Sequence, residues 1–224
     1  MEGFSDCHCH LLPGVDDGVK KIDETLRILE RWGALGMSEV WLTPHIMEDF
    51  PNKPADLTAE FQRLKDAYTG NISLHLAAEN MLDNLFLARF AQKELLPIGT
   101  EKVHLLVETS YYNPPMDMEG VLDNIRKQGY RPILAHPERY QYMTMSDYKK
   151  WKQKGVLFQL NVPSLVGAYG PEVKHKAEQL LDREMYDYCG TDTHSIRFVE
   201  YFLGSKISKK IAKKVKRIAE AQQL

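Results

Sequence analysis

Histidine and carboxylate side chains recur along this sequence at spacings that suit the binding of divalent metal ions. His8 stands two residues before His10, and Asp192 stands two residues before His194. Alternate residues of a strand share a face, so each pair can grip one ion. Further histidines and carboxylates follow other short apolar runs, and these are Asp16 or Asp17, His45, Glu79, Glu108 and His136.

This set of side chains indicates both the kind and the number of ions. Imidazole combined with carboxylate oxygen suits Mn, Fe, Zn or Co better than Ca or Mg. Nine candidate ligands exceed the needs of one ion, so the sequence predicts two or three divalent ions at one site. The other histidines, His75, His104 and His175, fall mid-strand or on a helix, where a packed or solvated imidazole is the better interpretation.

Cysteine chemistry is a poor alternative for this chain. Its three cysteines, Cys7, Cys9 and Cys189, are an odd number, which argues against a disulfide framework and for a reducing compartment. A cysteine phosphatase would need a Cys-x5-Arg loop to bind phosphate, and this sequence has none. Ser195 stands where the arginine would follow Cys189. No CxxC partner exists for Cys7 and Cys9, so we interpret both as small buried hydrophobes behind the metal site.

Apolar runs alternate with segments of helical period, which is typical of repeated βα units. Strands are predicted near 4–9, 39–45, 72–79, 103–109, 132–136, 156–162 and 186–191. Helices are predicted at 22–36, 55–69, 83–93, 118–129, 146–154, 173–183 and 205–222. Seven repeats without a linker predict a single α/β domain over residues 1–224, built on a closed or nearly closed parallel sheet.

The predicted ligands stand at the strand ends of this sheet. In parallel sheets, side chains at the carboxyl ends of the strands converge on one mouth, which is where function collects. The sixth strand is the exception, because it ends in Gln159 and Asn161 and supplies no metal ligand. We expect the amide there either to support the site or to cap a turn.

Composition and charge limit the class of protein. Apolar residues make up 43% and charged residues 27% of the 224 residues, as in ordinary globular chains. No apolar stretch approaches the roughly 18 residues of a membrane span, and the N-terminus lacks a secretory pattern, so a cytoplasmic protein is predicted. A formal charge of −2 gives no general attraction to nucleic acid.

Five stretches of the sequence form an ordered set of motifs. They are Asp6 to Gly18, Thr43-Pro44-His45, Ala78-Glu79, Ala135 to Tyr140 and Gly190 to His194. The set resembles the polymerase-and-histidinol-phosphatase (PHP) superfamily and, more narrowly, the bacterial protein-tyrosine phosphatases of capsule and exopolysaccharide loci. The resemblance implies a distorted (β/α)7 barrel with a trinuclear centre that is often manganese-loaded. It implies as ligands His8, His10, Asp17, His45, Glu79, Glu108, His136, Asp192 and His194, and it selects Asp17 over Asp16.

The resemblance also implies a reaction. It leads us to expect a manganese-dependent protein-tyrosine phosphatase that acts on an autophosphorylated tyrosine kinase. Metal ions suit this reaction, because they neutralise phosphate charge and acidify a bound water. We assign Arg139 and Asp192 to catalysis, with the planar fork of Arg139 gripping phosphate oxygens. Arg197 is left out, since it is equally well a helix-surface charge. The phenol of tyrosine has a pKa of about 10, so no dedicated general acid is needed.

Rival functions stay open at this point. A small-molecule phosphatase of the histidinol-phosphatase type would use the same ions, a PHP-type nuclease would cleave single-stranded DNA, and an inactive binding module would lack metals. The lysine-rich segment 205–222 predicts an amphipathic helix, either docked with a solvated basic face or attracting an acidic kinase tail or an anionic membrane. Homo-oligomerisation is left open.

Overall fold

The computed structural model describes residues 3–101 and 103–222. The strands are β1 (Ser5–Cys9), β2 (Glu39–Leu42), β3 (His45–Ile46), β4 (Ser73–Leu76), β5 (Glu79–Met81), β6 (His104–Glu108), β7 (Arg131–Ala135), β8 (Leu157–Asn161) and β9 (Tyr188–Gly190). The helices are α1 (Ile22–Ala34), α2 (Pro54–Ala67), α3 (Phe86–Ala91), α4 (Met118–Lys127), α5 (Met145–Gln153), α6 (Pro171–Asp182), α7 (Ile196–Gly204) and α8 (Lys209–Ala221). Short 3-10 helices follow β7 at Pro137–Arg139 and β8 at Val162–Val166.

The strands form a curled parallel sheet in two hydrogen-bonded parts. One part has the order β1-β2-β4, and the other has the order β3-β5-β6-β7-β8-β9. Every strand pair in both parts is parallel. The first strand meets the segment that follows the last strand through a bridge between Cys9 and Thr193, where His10 N donates to Thr193 O at 2.9 Å. The described chain is therefore an α/β protein whose sheet curls until its two ends touch.

Two predicted strands are broken, which corrects the placement of two site residues. The strand predicted at 39–45 divides into β2 and β3 at Pro44, which has no N–H to donate to a ladder. The strand predicted at 72–79 divides at Ala77 and Ala78, where Ala78 N turns away to donate to Leu96 O at 3.0 Å. The prediction that His45 and Glu79 close long strands is wrong. They open the short strands β3 and β5, where they are register partners.

The core divides between the two faces of the sheet. One large cluster joins alternate strand residues to the helices and includes Leu29, Trp32 and Phe158. A small separate cluster includes Cys7, Trp41, Leu106, Ile133, Ala135 and Tyr188, which come almost entirely from strands. Cys7 and Cys9 are buried free thiols as expected. They belong to different clusters, because the pairing of β1 with β2 is irregular between Asp6 and Cys9.

The C-terminal region contains one more helix than predicted. Helix α7 begins directly after the site residue His194, with the Ser195 hydroxyl accepting from Phe198 N as its N-cap. Helix α8 is docked, because Val215 is buried and Ile211 and Ile218 pack on the core. The Gln222 side chain then accepts from Cys189 N and donates to Ser5 O, which ties β9 to β1. None of the helices in the described ranges has the length and apolarity to cross a membrane.

Candidate metal centre

The structure brings all nine predicted ligands to one rim of the sheet, although they come from distant parts of the chain. Their nitrogen and oxygen atoms form three groups, and within each group the atoms lie within 4.8 Å of one another. These are His8, His10, Glu79 and Asp192; then His10, Asp17, His45 and His194; then His45, Glu79 and Glu108. The ninth residue, His136, adjoins them through Nε2, 3.0 Å from Glu79 Oε1. Shared members link the groups, so they form one continuous centre.

The innermost group consists of four buried side chains whose acceptor atoms face one another. The Nε2 atoms of His8 and His10 are 3.2 Å apart. Glu79 Oε2 lies 3.1 Å from His8 Nε2 and 3.2 Å from His10 Nε2. Asp192 Oδ1 lies 3.5 Å and 3.3 Å from the same two nitrogens. All four side chains are at most 3% exposed, so water does not satisfy these atoms.

Hydrogen bonds behind the two histidines fix which ring nitrogen carries hydrogen. His8 Nδ1 donates to Gln159 Oε1 at 2.9 Å. That amide is oriented unambiguously, because Oε1 also accepts from His136 N while Gln159 Nε2 donates to Leu160 O. His10 Nδ1 donates to Asp16 Oδ2 at 2.8 Å. The Nε2 atom of each ring therefore faces the pocket, where it can bind a cation or hold a proton.

The electrostatics of the metal-free pocket agree with this picture. Burial opposes charge on His8, but the Glu79 and Asp192 carboxylates outweigh it and raise its pKa to about 9. Burial likewise opposes charge on His10, but Asp16 raises its pKa well above the ordinary value. The same histidines hold the pKa values of Glu79 and Asp192 well below their usual range despite burial. The pocket therefore favours positive charge between its two carboxylates.

The outer group distinguishes two neighbouring aspartates by their surroundings. Asp16 is buried, and besides His10 it accepts from His45 N and Gly18 N at 3.0 Å each, so it supports the site from behind. Asp17 is 55% exposed and places Oδ1 3.5 Å from Nε2 of His45 and 3.5 Å from Nε2 of His194. His194 Nδ1 donates to a backbone carbonyl, which leaves its Nε2 lone pair facing Asp17. The geometry favours Asp17 as the ligand.

The third group contains acceptors that are close together and unsatisfied. His45 Nδ1 lies 3.3 Å from Glu79 Oε2 and 3.0 Å from Glu108 Oε1. These three atoms are buried, and none has a hydrogen-bond partner, so their short contacts lack hydrogen-bond geometry. Native proteins rarely leave such atoms unpaired. Imidazole and carboxylate donors in this state fit divalent metal ions of the Mn, Fe, Zn or Co kind.

Two glycines let the chain pack tightly behind these ligands. A Cβ on Gly190, the last residue of β9, would lie 2.7 Å from His8 Cβ. A Cβ on Gly18 would lie 2.2 Å from His10 O.

Two predicted ligands stand in unusual backbone conformations. His136 and Asp192, which follow β7 and β9, have positive φ angles of 33° and 51°. Loop backbone in a disfavoured conformation thus aims both side chains at the centre.

Arg139 lies at the edge of the centre and contacts one of its ligands. Its Nη1 donates to Asp192 Oδ2 at 2.7 Å, and its side chain is 18% exposed. Its guanidinium carbon lies 4.3 Å from the ring centre of Tyr111 and 4.4 Å from that of Tyr169. The sequence pattern missed both tyrosines, because they stand in loops without periodicity. Asn161, which was predicted either to support the site or to cap a turn, donates to Asp192 Oδ2 at 3.0 Å.

The remaining histidines lie away from the centre, as expected. His75 stacks on Trp41 and pairs with Glu39, His104 contacts Tyr188, and His175 contacts Gln179 on its own helix. Arg197 is exposed on α7. These placements leave the nine clustered side chains and Arg139 as the chemically distinctive part of the described structure.

Fold and site together define a class: an α/β protein with a curled parallel sheet that gathers histidines and carboxylates into a metal-binding pocket at one rim. Within that class, residues 4–219 match the family described as "Capsular polysaccharide synthesis, CpsB/CapC". The chain belongs to the CpsB/CapC family. The resemblance found in the sequence motifs is confirmed.

Relatives of the chain carry names that describe one activity. Tyrosine-protein phosphatase YwqE of Bacillus subtilis is 25% identical over 86% of this chain and 78% of its own length. The putative tyrosine-protein phosphatase CapC of Staphylococcus aureus is 25% identical, over 85% and 77%. Tyrosine-protein phosphatase CpsB of Streptococcus pneumoniae is 23% identical, over 85% and 83%.

Solved structures agree with the fold. A structure from work on YwqE and S. pneumoniae CpsB, described there as unique metal-dependent tyrosine phosphatases, matches with a TM-score of 0.77 and 21% identity, over 98% of this chain and 95% of that one. An inactive dihydroorotase-like domain of a Chaetomium thermophilum CAD-like protein matches with a TM-score of 0.56 and 16% identity, over 94% and 68%. Both likenesses concern the fold.

Proposed function

We propose that this protein is a metal-dependent protein-tyrosine phosphatase. The observation that carries the proposal is the inner group, in which two histidine nitrogens and two carboxylate oxygens, all on buried side chains, lie within 4.8 Å of one another. Such a pocket holds cations, and cations are what the hydrolysis of a charged phosphate ester requires. Membership in a family whose relatives are named tyrosine phosphatases supports the choice of substrate.

We further propose two or three divalent ions, with manganese as the first choice. The nine predicted residues would hold them: His8, His10, Asp17, His45, Glu79, Glu108, His136, Asp192 and His194. When bound, such ions neutralise phosphate charge and lower the pKa of a coordinated water toward neutrality. The wider fold is proposed to be a distorted (β/α)7 barrel in one domain, with β2 and β3 counted as one strand and β4 and β5 as another.

The chain's own residues then bind and orient the ester. Arg139 uses one edge of its guanidinium on Asp192, and its other N–H groups are placed to donate to phosphate oxygens at the side of the centre. Asp192 joins the two functions, because Oδ1 faces the histidines while Oδ2 holds Arg139. The leaving phenolate has an ordinary pKa of about 10, so the chain needs no dedicated proton donor for it.

The substrate we propose is a tyrosine-phosphorylated protein, and specifically an autophosphorylated tyrosine kinase of capsule or exopolysaccharide synthesis. The family description, which names capsular polysaccharide synthesis, supports this pathway. A cytoplasmic location stays a prediction from the sequence, in keeping with three buried free cysteines.

The test is release of phosphate from a tyrosine-phosphorylated peptide by purified protein, with and without manganese, alongside elemental analysis of bound metal. We expect manganese-dependent release that His136→Ala lowers by at least about a hundredfold, because His136 contacts Glu79 inside the centre. Histidinol phosphate and labelled single-stranded DNA serve as competing substrates. Full activity of the variant, or preferred turnover of either competitor, would overturn the proposal.

A further inference from the structure

The Arg139 guanidinium is held by two aromatic rings. Its central carbon lies 4.3 Å from the Tyr111 ring centre and 4.4 Å from the Tyr169 ring centre. The two tyrosines stand in different loops, Tyr111 after β6 and Tyr169 after β8, so two separate segments of the chain contact the cation. Rings at this distance attract a guanidinium and fix the orientation of its plane.

One edge of that plane is already occupied. Asp192 Oδ2 accepts from Arg139 at 2.7 Å and from Asn161 Nδ2 at 3.0 Å. Asn161 Nδ2 also donates to the Tyr169 hydroxyl at 3.1 Å, and that hydroxyl lies 3.4 Å from Asp192 Oδ2. Within residues 3–101 and 103–222, the bond to Asp192 Oδ2 is the one hydrogen bond that the Arg139 side chain makes. The remaining N–H groups form the edge that is left for a ligand.

Tyr111 connects this arrangement to the metal centre. It lies in the loop that follows Glu108, and its carbonyl accepts from Gln141 N at 2.7 Å. Its ring meets that of His136 edge-on, with 5.8 Å between ring centres. One aromatic ring therefore contacts both Arg139 and a predicted metal ligand, so the position of the guanidinium relative to the centre depends on it.

We propose that Tyr111 and Tyr169 are positioning residues that hold the Arg139 guanidinium in one plane, with its unoccupied edge turned to a phosphoryl group bound at the centre. The inference rests on the proposed function, and it assigns the positioning of the guanidinium to the two rings. A guanidinium without the rings would keep its charge and its bond to Asp192. It would lose the orientation that makes the contact to phosphate oxygens bidentate.

The test measures orthophosphate binding by isothermal titration calorimetry to manganese-loaded protein, together with hydrolysis of a phosphotyrosine peptide. Tyr111→Leu and Tyr169→Leu should each weaken orthophosphate binding by about tenfold, while Tyr111→Phe, which keeps the ring, stays within about threefold. Tyr112→Leu is the matched control, because Tyr112 adjoins Tyr111 but is 67% exposed. Metal content is measured in every variant, so that a weaker orthophosphate contact is distinguished from the loss of an ion.

A double-mutant cycle separates positioning from a general effect on packing. If the rings act through Arg139, Tyr111→Leu should have no further effect on orthophosphate binding in an Arg139→Ala background. Additive losses, or Leu variants that bind like the wild type, would overturn the inference. Wild-type protein that binds orthophosphate through Arg139 but fails to hydrolyse the peptide would overturn the proposed function and leave the positioning role standing.

Discussion

His8 and His10 turn their Nε2 atoms toward each other across 3.2 Å, beside the carboxylate oxygens of Glu79 and Asp192. The reason is that Gln159 and Asp16 accept from the opposite nitrogen of each ring. Gln159 and Asp16, which are not among the proposed ligands, thus fix which nitrogen of each ring faces the pocket.

Gln159→Met should weaken metal binding by about 10- to 100-fold, as is usual when a hydrogen-bond partner behind a ligand is lost. Methionine has a similar length but leaves His8 Nδ1 and His136 N without their shared acceptor. Competition with a metal-sensitive dye would measure the affinity. Gln179→Met, at a half-buried position of α6 where the amide contacts His175, is the control. Unchanged affinity in Gln159→Met would mean that the amide does not orient His8.

Asp16→Asn and Asp17→Asn should behave differently despite their adjacency. Asp17 is 55% exposed and faces the outer ligands, so its change should lower the bound metal by one ion with little effect on metal-free stability. Asp16 holds three buried donors, so its change should cost about 1–3 kcal/mol of unfolding free energy. Elemental analysis and urea denaturation give the two quantities. The same loss of metal and stability in both variants would refute the division of roles.

The difference between Asp16 and Asp17 shows which site residues could be predicted from the sequence alone. Strand-end position identifies His8, His10, Asp192 and His194, and spacing two correctly pairs His8 with His10 in one group. The prediction that Asp192 and His194 share an ion because they share a strand face is wrong, since both lie in the loop after β9 and belong to different groups. Spacing could not separate Asp16 from Asp17, since both stand in one loop, and the family motif made that choice. The fold shows the reason: Asp16 turns inward to His10 and Asp17 outward to His194.

Contacts between loops could not be predicted from the sequence, for a different reason. Tyr111, Arg139 and Tyr169 follow three different strands, and no period links them. Their meeting depends on how β6, β7 and β8 lie side by side in the sheet. The broken strands at His45 and Glu79 were also unforeseen, although Pro44 marks the first break. Helix α7 had a visible signal in the Ser195 cap, which the interpretation of the segment passed over.

Metal binding should weaken as pH falls. In the metal-free protein the His8 pKa is raised from 6.5 to about 9, so the ring is protonated at neutral pH and must lose its proton to bind a metal. The apparent Kd should rise about tenfold for each unit by which the pH falls, for each proton that the metal displaces.

The stability of the metal-free protein should change in the opposite direction. It should fall as pH rises from 6.5 through about 9, because a raised histidine pKa stabilises the fold only while the ring is charged.

Titration calorimetry from pH 6 to 8, in buffers of different ionisation enthalpy, measures both the affinity and the protons released. Thermal denaturation of metal-free protein over pH 6 to 10 follows the second effect, and metal-loaded protein serves as its control. A Kd that does not change with pH, with no proton release, would show that the histidines are neutral before the metal arrives.

Gly190→Ala should destabilise the protein and weaken metal binding together. The added Cβ would lie 2.7 Å from His8 Cβ and 2.8 Å from His8 N, and neither neighbour is a flexible chain end, so β1 must move away from β9. Forced displacement of packed backbone costs about 1–3 kcal/mol, and here it also shifts a ligand.

Gly204→Ala is the matched control for Gly190→Ala. Gly204 ends α7, and a Cβ there meets no atom within 4 Å. The change should be neutral, or stabilising by about 0.4–1 kcal/mol, because alanine has less conformational freedom in the unfolded chain. Urea denaturation of both variants without metal gives the unfolding free energies, and dye competition gives the metal affinities. If Gly190→Ala matched Gly204→Ala in both measurements, the close contact between β9 and His8 would not be what sets the position of this ligand.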